Sequence, residues 1–528
     1  MCSCVIICAH GYHCALLYAD FVSANRREKR AVTVWVNDRL GWVGTSAFPH
    51  LAFWRQSKIG ARTAHRAGEP DEKHQNRPAR RRRPSGEPDF VHPVRTVRHA
   101  VFGSAFGKIM PEKSNKKPHP IKTVCFRTFG CKVNQYESQA LSEEFSRRGF
   151  MSVYDKADLY VVNTCSVTAR ADKKAREAVR AIKKESPAAK IAVIGCLAQL
   201  DGERVKSWGV DWVIGQDDKA NIAHIICGAD AKQDIWSLGI NDFSIHRAFV
   251  KVQDGCDNRC SFCKIPHIRG ASQSRPLEDI VAEVRRLSEK YREIVLCAVN
   301  LALYGRDLKN SEDIYLLVDA ALKIKTMSRL RLSSLETIFV GERILEFLNH
   351  PKFCSHLHIP FQSGDDDVLT AMNKRERAQG YLDFVAQARR IDPDVAISAD
   401  FIVGFPAEGE KEFKNTLNFL REVNPMRTHI FTFSPRENTP LSGVKIKDKA
   451  LIKKRFDLLQ AAAQVCADNY AKRFIGRSLS MVTEEKKNGF SCGYTENYLR
   501  VKVKKDLPPG SLVSVTIDKV VKGDIYAV

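Results

Sequence analysis

The sequence of 528 residues lacks any uninterrupted run of about 20 apolar residues, the length that a membrane-spanning helix needs. Its opening stretch also lacks the positive charges that precede the apolar part of a secretory signal peptide. His10, His13 and Asp20 interrupt the apolar residues there. These absences exclude helical membrane proteins and secreted proteins from the expected classes. We therefore expect a cytoplasmic protein with no membrane partner.

Acidic residues are in short supply relative to basic ones. The chain has 61 Asp and Glu against 84 Lys and Arg, which gives a formal net charge of +23 and a pI near 9.4. A basic balance of this size favours an anionic partner, with nucleic acid first and a membrane surface second.

Residues 1–120 differ in texture from the rest of the chain and show no sustained hydrophobic periodicity. A basic run from Arg80 to Arg83 makes a nucleic-acid-binding arm one interpretation, although a disordered extension without a role is favoured. Met110 begins a polar stretch that leads into the first predicted strand. Residues 1–109 are therefore predicted to be dispensable, or not translated at all.

The sequence has no disulfide framework of the kind found in short secreted domains, although it contains 16 cysteines. In a long chain in a reducing compartment, spaced cysteines more often bind metal or take part in chemistry. The spacing of the cysteines is therefore a guide to function.

From residue 121 onward, β-rich runs alternate with helical runs. The first series, at 121–230, has strand candidates at 123–129, 159–163, 191–195 and 212–215. Such alternation predicts an α/β fold, here an N-terminal doubly wound domain with a parallel sheet and helices on both faces.

A second series, at 242–473, has strand candidates at 247–253, 293–299, 329–333, 357–360, 396–403 and 428–433. About six βα units predict a partial or complete parallel (β/α) barrel, whose chemistry takes place at the carboxyl ends of the strands. Residues 474–528 follow a long basic helix and contain short runs divided by Gly and Pro, which predicts a small C-terminal β-barrel.

Three cysteines lie close together directly after the first strand of the predicted barrel. Cys256, Cys260 and Cys263 form a C-x3-C-x2-C string, and three thiolates within eight residues can converge on one soft metal centre. Zinc is an alternative, because His267 offers a fourth ligand. The position at the barrel mouth, the spacing and Phe262 before the third thiol favour an iron–sulfur cluster.

Three further cysteines each follow a strand of the first domain. Cys131, Cys165 and Cys196 are separated by one βα unit each, so they are expected to meet in one crevice above the parallel sheet. A single cysteine in such a place is usually a small core residue. Three in equivalent positions favour shared ligation of a second cluster.

The string C-x3-C-x-aromatic-C at Cys256–Cys263 resembles the radical S-adenosylmethionine (SAM) superfamily. The wider chain, from about residue 122 to its end, resembles the methylthiotransferases, on segments that include 332–336, 356–364, 400–406 and 493–498. The last of these resembles a TRAM module, a small RNA-binding β-barrel, in which Tyr494 and Tyr498 are expected to be available for stacking on bases.

The resemblance implies two [4Fe-4S] clusters, with metal ligands Cys131, Cys165 and Cys196 for one and Cys256, Cys260 and Cys263 for the other. It implies that one SAM donates a methyl group to sulfur held on the auxiliary cluster. A second SAM is then cleaved to a radical that attacks a C–H bond. The implied partners are tRNA and an electron donor such as flavodoxin or ferredoxin.

Five residues are assigned to cofactor binding, and no catalytic residue is assigned beyond the cluster ligands. Phe262 precedes the third thiol. The other four residues follow strands, where polar groups are able to hold the ribose or methionine part of SAM: Asn300, Ser333, Glu336 and Gln362. The alternative is that these four polar groups only solvate the mouth of the barrel. His356 and His358 alternate on one strand and either line the barrel interior near substrate or are satisfied interior histidines.

The string GCKVNQYES at 130–138 is similar to the MtaB type of methylthiotransferase, which acts on threonylcarbamoyladenosine in tRNA. The expected function is therefore addition of a methylthio group to carbon 2 of that base at position 37, on the 3′ side of the anticodon. Alternatives are a methylthiotransferase for isopentenyladenosine tRNA or ribosomal protein, and a non-enzymatic RNA-binding iron–sulfur protein.

The chain departs from the family pattern at a few positions. Cys297 and Ala298 stand where Thr and Gly are usual, and Ala399 and Ala407 replace an expected Thr and Gly. If a glycine at 298 gives the backbone room to approach SAM, Ala298 weakens that binding.

Overall fold

The structure, a computed structural model, describes residues 121–166, 169–228, 236–310, 312–446 and 448–528. Before residue 121 it describes only the backbone of two short antiparallel strands, β1 (Ser3–Val5) and β2 (Leu17–Ala19). The predictions of a disordered extension and of a dispensable segment before Met110 lie outside the described residues.

The first domain is a five-stranded parallel sheet with helices around it. Its elements are β3 (Thr123–Thr128), α1 (Lys132–Arg147), β4 (Met151–Ser152), β5 (Leu159–Thr164), α2 (Ala169–Glu185), β6 (Lys190–Gly195), α3 (Cys196–Leu200), α4 (Gly202–Lys206), β7 (Trp212–Ile214) and α5 (Ile222–Cys227). The strand order is β4-β3-β5-β6-β7. The chain adds β4 on one side of β3 and then β5, β6 and β7 on the other side, so the topological switch point lies between β3 and β5. In open parallel sheets, ligands bind at such a switch point, beyond the carboxyl ends of the strands.

The segment between β6 and β7 forms two short helices rather than one. Asp201 separates α3 from α4, because its carboxylate accepts a hydrogen bond from the Arg204 amide at 3.2 Å and so caps a new helix. The break keeps α3 short, so its first residue, Cys196, stays at the sheet edge.

The second domain is an open barrel of six parallel strands. Its elements are β8 (Ala248–Asp254), α6 (Ile265–Arg269), β9 (Gln273–Ser274), α7 (Leu277–Ser288), β10 (Glu293–Ala298), α8 (Ile314–Leu322), β11 (Arg329–Leu332), α9 (Thr337–Val340), β12 (His356–Gln362), α10 (Asp366–Ala371), α11 (Ala378–Ile391), β13 (Ala396–Val403), α12 (Glu410–Val423) and β14 (Arg427–Thr432). Two 3₁₀ turns, Leu301–Leu303 and Glu342–Asn349, follow β10 and α9.

The barrel strands form two sheets rather than a closed ring. The strands β8, β10 and β11 form one sheet and β12, β13 and β14 the other, and isolated bridges such as Ser334 to His358 join them. In the described residues β8 and β14 do not pair, so the barrel is partial. Helix α1 of the first domain packs against the inner side of β8, where Glu137 accepts from Lys251 at 2.8 Å.

The C-terminal domain is a closed β-barrel that follows a long helix. Its elements are α13 (Lys449–Lys472), β15 (Ser478–Lys487), β16 (Phe490–Thr495), β17 (Arg500–Val503), β18 (Leu512–Val521) and β19 (Asp524–Ala527). Strand β16 is rich in small and polar residues, so it lacks a hydrophobic run. Among the described residues, no helix is both long enough and apolar enough to cross a membrane.

A buried carboxylate holds the small barrel against the second domain. Glu293 of β10 accepts hydrogen bonds from Arg331 at 2.8 Å and Arg329 at 2.7 Å, and Arg247 lies 3.3 Å away. Arg329 also donates to the carbonyl oxygen of Tyr494 at 2.7 Å. The arginines therefore use Glu293 as a common counter-charge while binding the backbone of the small barrel.

Candidate active site

Cys131, Cys165 and Cys196 follow neighbouring strands of the first sheet. The register pairs Thr164 of β5 with Gly195 of β6, so the loops that carry Cys165 and Cys196 start side by side. Gly130 touches the second loop, because a Cβ atom at Gly130 would lie 2.6 Å from the Cβ of Cys165. Only glycine fits there, and its φ of +109° also requires glycine. The structure thus brings the three cysteine loops to one edge.

Hydrogen bonds fix these loops to one another. The Asn134 side-chain amide donates to the carbonyl oxygens of Phe129 at 2.8 Å and Thr164 at 3.0 Å. The Thr164 hydroxyl donates to Ile194 at 2.6 Å and accepts from the Leu197 amide at 3.2 Å. The loops are therefore preorganised around the cysteines, of which Cys131 is exposed while Cys165 and Cys196 are buried.

Cys256, Cys260 and Cys263 form a second group at the mouth of the barrel. The Cys263 amide donates to the carbonyl oxygen of Cys260 at 3.0 Å, and the Cys256 amide donates to Gly270 at 3.1 Å. Burial raises the pKa of the Cys260 thiol to about 12 and that of Cys263 to about 11. A cysteine binds metal as a thiolate, and the raised pKa means that losing the proton costs free energy. A bound cationic centre would compensate for that cost.

The spacing of the thiols bears on the kind of metal. In the described part of the chain, the one group of metal-type ligands whose atoms all lie within 4.8 Å of one another is His358, Asp400 and His429. Neither cysteine triad is that compact. A single zinc ion needs sulfur ligands about 2.3 Å from its centre. The thiols of neither triad are therefore spaced to bind a single zinc ion as they stand.

Polar groups surround the second cysteine group. The Asn300 amide nitrogen lies 3.9 Å from the Cys256 sulfur. Its Oδ1 atom and the Ser333 hydroxyl are buried without a hydrogen-bond partner. Glu336 accepts a hydrogen bond from the Lys374 ammonium at 2.6 Å. The charge of Lys374 lowers the pKa of the Cys260 thiol and that of Glu336 raises it. The unpartnered atoms are suited to a polar ligand such as SAM.

Two predicted cofactor residues differ in setting from the others. The Phe262 ring packs edge-on against Phe405, with ring centroids 6.4 Å apart, inside a small apolar cluster. Gln362 ends β12 at a register shift and has a φ of +67°, which is unusual for a residue other than glycine. The aromatic side chain thus anchors the cysteine loop through its packing.

The two cysteine groups are linked across the domain boundary by charged residues. Lys264, next to Cys263, donates to the hydroxyl of Ser166, next to Cys165, at 2.8 Å. Arg436, which follows β14, donates to the Ser166 carbonyl oxygen at 2.8 Å. These contacts hold the loops of the two cysteine groups against each other.

Arg269 makes a second link between the groups. Its guanidinium donates to Asn134 at 2.7 Å, Glu137 at 3.0 Å and Asp254 at 2.9 Å. Burial raises the pKa of Glu137, but the charges of Arg269, Lys219 and Lys251 outweigh it and hold that pKa well below its usual range. The arginine thereby ties α1 to the end of β8.

The inner face of β12, β13 and β14 is polar. We call its side chains the inner wall; they are His356, His358, Ser398, Asp400, Arg427 and His429. His356 shares a hydrogen bond of 2.8 Å with Ser398. Both His358 and His429 place a ring nitrogen 3.0 Å from one oxygen of Asp400. Burial raises the pKa of Asp400, but the two histidines outweigh it and lower that pKa.

The structure contradicts the predicted stacking of RNA bases on Tyr494. Tyr494 is only 3% exposed, and the two rings stack on each other at 4.9 Å. Arg247 covers Tyr494 at 4.4 Å, and Arg331 covers Tyr498 at 4.5 Å. The tyrosines serve the contact between the small barrel and the second domain.

Sequence reasoning missed several residues of the site. Lys264, Arg269, Lys374 and Arg436 contact cysteine loops or their neighbours, but each contact joins residues that are far apart in the chain. The position of Lys264 next to Cys263 was the one sequence signal that marked it as a candidate site residue. The fold was needed to find the partner.

Models of two families match the chain in the regions that carry the cysteine groups. The uncharacterized protein family UPF0004 matches residues 123–215, and the radical SAM superfamily matches residues 250–420. The two α/β domains and their cysteines thus define a radical SAM enzyme with an additional N-terminal cysteine domain.

Known relatives narrow the class. The threonylcarbamoyladenosine tRNA methylthiotransferase MtaB of Thermotoga maritima is 37% identical over 399 residues, which cover 72% of this chain and 91% of that protein. The Bacillus subtilis protein of the same name is 33% identical over 75% of this chain and 94% of that protein. The tRNA-2-methylthio-N(6)-dimethylallyladenosine synthase of Thermodesulfovibrio yellowstonii is 30% identical over 77% of this chain and 99% of that protein. The chain belongs to the MtaB family of radical SAM methylthiotransferases.

The cofactors of this family are SAM and two [4Fe-4S] clusters. The residues present fit these groups. Each domain offers three thiols, the soft ligands that iron–sulfur clusters take. The Asn300 side chain lies beside the second set of thiols, 3.9 Å from the Cys256 sulfur, and its Oδ1 atom is buried without a hydrogen-bond partner.

Proposed function

We propose that this protein adds a methylthio group to carbon 2 of N(6)-L-threonylcarbamoyladenosine, at the adenosine 3′ to the anticodon in tRNA (position 37). Two cysteine groups linked by Lys264 and Arg269 carry the proposal, because sulfur source and radical source must approach one carbon atom. Membership in the MtaB family supports the choice of base.

We assign the six cysteines to two ligand sets within the domains at 121–230 and 242–473. Cys131, Cys165 and Cys196 would hold the auxiliary cluster, and Cys256, Cys260 and Cys263 the SAM cluster. When bound, the clusters would supply sulfur and the electron that allows SAM to activate a C–H bond. Asn300, Ser333, Glu336 and Gln362 would orient SAM, and Phe262 would anchor the loop.

The protein's own residues prepare the site. Lys264 and Arg436 hold the Ser166 loop, and Arg269 holds α1 against β8, so the distance between the two cysteine groups is set before substrate arrives. Such preorganisation lowers the cost of aligning the reacting atoms. The open side of the barrel, next to the half-exposed His429 (44% of its side chain), would admit the base.

A basic groove on the first domain supports tRNA as the partner. It has a volume of about 440 Å³. Trp208, five basic residues and two acidic ones line it, and of the basic residues only Arg436 comes from the second domain: Lys173, Arg176, Arg180, Arg204 and Arg436 against Asp172 and Glu177. Guanidinium groups neutralise phosphates, and an indole ring offers a stacking surface. The small barrel at 474–528 would contribute charge rather than the stacking of Tyr494. We expect these reactions in the cytoplasm, with flavodoxin or ferredoxin as electron donor.

The test is an anaerobic reaction of the reconstituted protein with SAM, a reductant and lysine tRNA that carries threonylcarbamoyladenosine. We expect the methylthiolated nucleoside and 5′-deoxyadenosine. Isopentenyladenosine tRNA should remain unmodified, because a site that bonds a carboxylate and a hydroxyl rejects an apolar group. Cys131→Ala and Cys256→Ala are each expected to abolish the methylthio product.

Other results would select the alternatives. Methylthiolation of the isopentenyl substrate alone, or of ribosomal protein, would overturn the substrate while leaving the reaction class. Absence of 5′-deoxyadenosine from a fully reconstituted protein would favour a non-enzymatic RNA-binding iron–sulfur protein.

A further inference from the structure

Most cations near the inner wall have carboxylate partners. Arg331, Arg329 and Arg247 share Glu293, and Lys251 binds Glu137 at 2.8 Å. Two cations differ. In the described part of the chain, the side chains of Lys132 and Arg427 have neither a hydrogen bond nor an ion pair.

Arg427 contacts the Tyr498 ring, and the charge of Lys132 reaches both Tyr498 and His356. The Arg427 guanidinium lies 4.8 Å from the centre of the Tyr498 ring. Lys132 and Arg427 both act on the charge of Tyr498, with Lys132 the strongest of the neighbouring cations. They come from different domains, since Lys132 follows Cys131 and Arg427 begins β14.

A buried histidine next to this place also lacks a partner. His356 is 2% exposed, and its ring lies 4.5 Å from that of Tyr498. Its Nε2 atom shares a hydrogen bond with Ser398, but its Nδ1 atom has no partner. A buried polar atom without a partner costs free energy, so it indicates a ligand group.

We propose that Lys132, Arg427 and His356 bind the carboxylate of the threonylcarbamoyl group and so select the substrate. This inference rests on the proposed function. It identifies a specificity subsite and leaves the chemistry to the cysteine groups. The position of Lys132 directly after Cys131 places the subsite beside the auxiliary cysteines, where the modified base must lie.

The chemistry of the group matches the subsite. The threonylcarbamoyl substituent ends in a carboxylate and a hydroxyl, which accept hydrogen bonds from an ammonium, a guanidinium and an imidazole N–H. An isopentenyl substituent accepts none of them and would leave two cations without a counter-charge. Discrimination against it should therefore be large.

The test measures binding without turnover. The holoprotein is titrated, in the absence of reductant, with an anticodon stem-loop RNA that carries threonylcarbamoyladenosine, and with the same RNA as its methyl ester. We expect the wild-type protein to bind the acid roughly tenfold or more tightly than the ester, the value of one charge-assisted hydrogen bond. In the double variant Lys132→Gln, Arg427→Gln the ratio should fall toward one, with little change in affinity for the ester.

The controls separate charge loss from unfolding. Lys414 and Arg292 are exposed, so Lys414→Gln, Arg292→Gln removes the same charges elsewhere and should keep the ratio. If the double variant also loses affinity for the ester, the single variants Lys132→Gln and Arg427→Gln are measured instead. Each should lower the ratio of acid affinity to ester affinity. An unchanged ratio in the variants would overturn the proposal.

Binding of the acid and methylthiolation of the base are measured separately. Methylthiolation by a wild-type protein that binds acid and ester equally would refute the subsite and leave the function standing. A strong preference for the acid without any methylthiolation would support the subsite and refute the function.

Discussion

Tyr498 lies where three parts of the molecule meet. Its ring contacts His356 of the second domain and Tyr494 of the small barrel, and it feels the charge of Lys132 from the first domain. Burial raises its pKa, but Lys132, Arg247, Arg427 and Arg331 outweigh it and lower that pKa to about 7. The site thus carries an excess of positive charge.

The lowered pKa predicts a pH-dependent stability. Below pH 7 the phenol is protonated in both the folded and the unfolded chain, so its ionisation contributes nothing. Between pH 7 and the usual phenol pKa of about 10, only the folded protein holds the phenolate, so stability rises with pH. The difference in unfolding free energy between the wild-type protein and Tyr498→Phe should therefore grow from pH 7 to about pH 9.

Chemical denaturation of the wild-type protein and Tyr498→Phe at several pH values measures this difference. The ultraviolet absorbance of the folded protein should show a phenolate that is missing from the variant. A difference that stays constant with pH would contradict the account of Tyr498.

Among the elements, the cysteine loops at the ends of β3, β5 and β6 were accessible from sequence. Parallel strands end at a common sheet edge, so residues just after them are expected to meet. The contact between Lys264 and Ser166 was not accessible, because it joins residues 98 positions apart in two domains. The burial of Tyr494 was missed for the same reason, since its covering residue, Arg247, precedes β8.

The two sets of cysteine loops predict the metal content. Two [4Fe-4S] clusters give roughly eight irons per chain after anaerobic reconstitution. Changing Cys131, Cys165 and Cys196 together to alanine should leave about half, and so should the triple change at Cys256, Cys260 and Cys263. Iron analysis and charge-transfer absorption measure this, with Cys492→Ala as a control that keeps all the iron. A protein that binds zinc without such absorption would refute the two-cluster assignment.

Arg269 predicts how much the link between α1 and β8 contributes to stability. Arg269→Met leaves Glu137 and Asp254 buried with fewer counter-charges. Breaking a buried ion pair in this way costs about 3–5 kcal/mol. The unfolding free energy should fall by that order, as measured by chemical denaturation.

The exposed Arg292 provides the matched control for this change, since Arg292→Met should alter stability little. Equal stability of the two variants would show that the buried network around Arg269 does not hold the domains together.

The docking of the small barrel is a property of the whole molecule. Glu293 is fully buried, and it is the shared acceptor for the arginines that bind the backbone of the small barrel. Glu293→Gln would leave these cations without a charge partner, at a cost of about 3–5 kcal/mol. We expect faster proteolysis between the second and third domains, whereas Glu346→Gln on the surface should behave like the wild-type protein. Unchanged proteolysis in Glu293→Gln would contradict this role.

The fold class and the two cysteine sets followed from local patterns, whereas the partial closure of the barrel did not. Strand candidates do not reveal that β8 and β14 remain unpaired in the described residues, because closure depends on how the domains pack. Here α1 lies along β8, where Glu137 binds Lys251, and occupies space that a closed barrel would fill with its own side chains.

Nucleoside analysis of tRNA from a strain that lacks the gene tests the methylthiolation of threonylcarbamoyladenosine most directly. The 2-methylthio derivative of threonylcarbamoyladenosine should disappear, the unmethylthiolated nucleoside should accumulate, and isopentenyladenosine derivatives should not change. A plasmid copy should restore the product, whereas copies with Cys131→Ala or Cys256→Ala should not. Persistence of the 2-methylthio derivative in the deletion strain, or its restoration by the cysteine variants, would contradict the account.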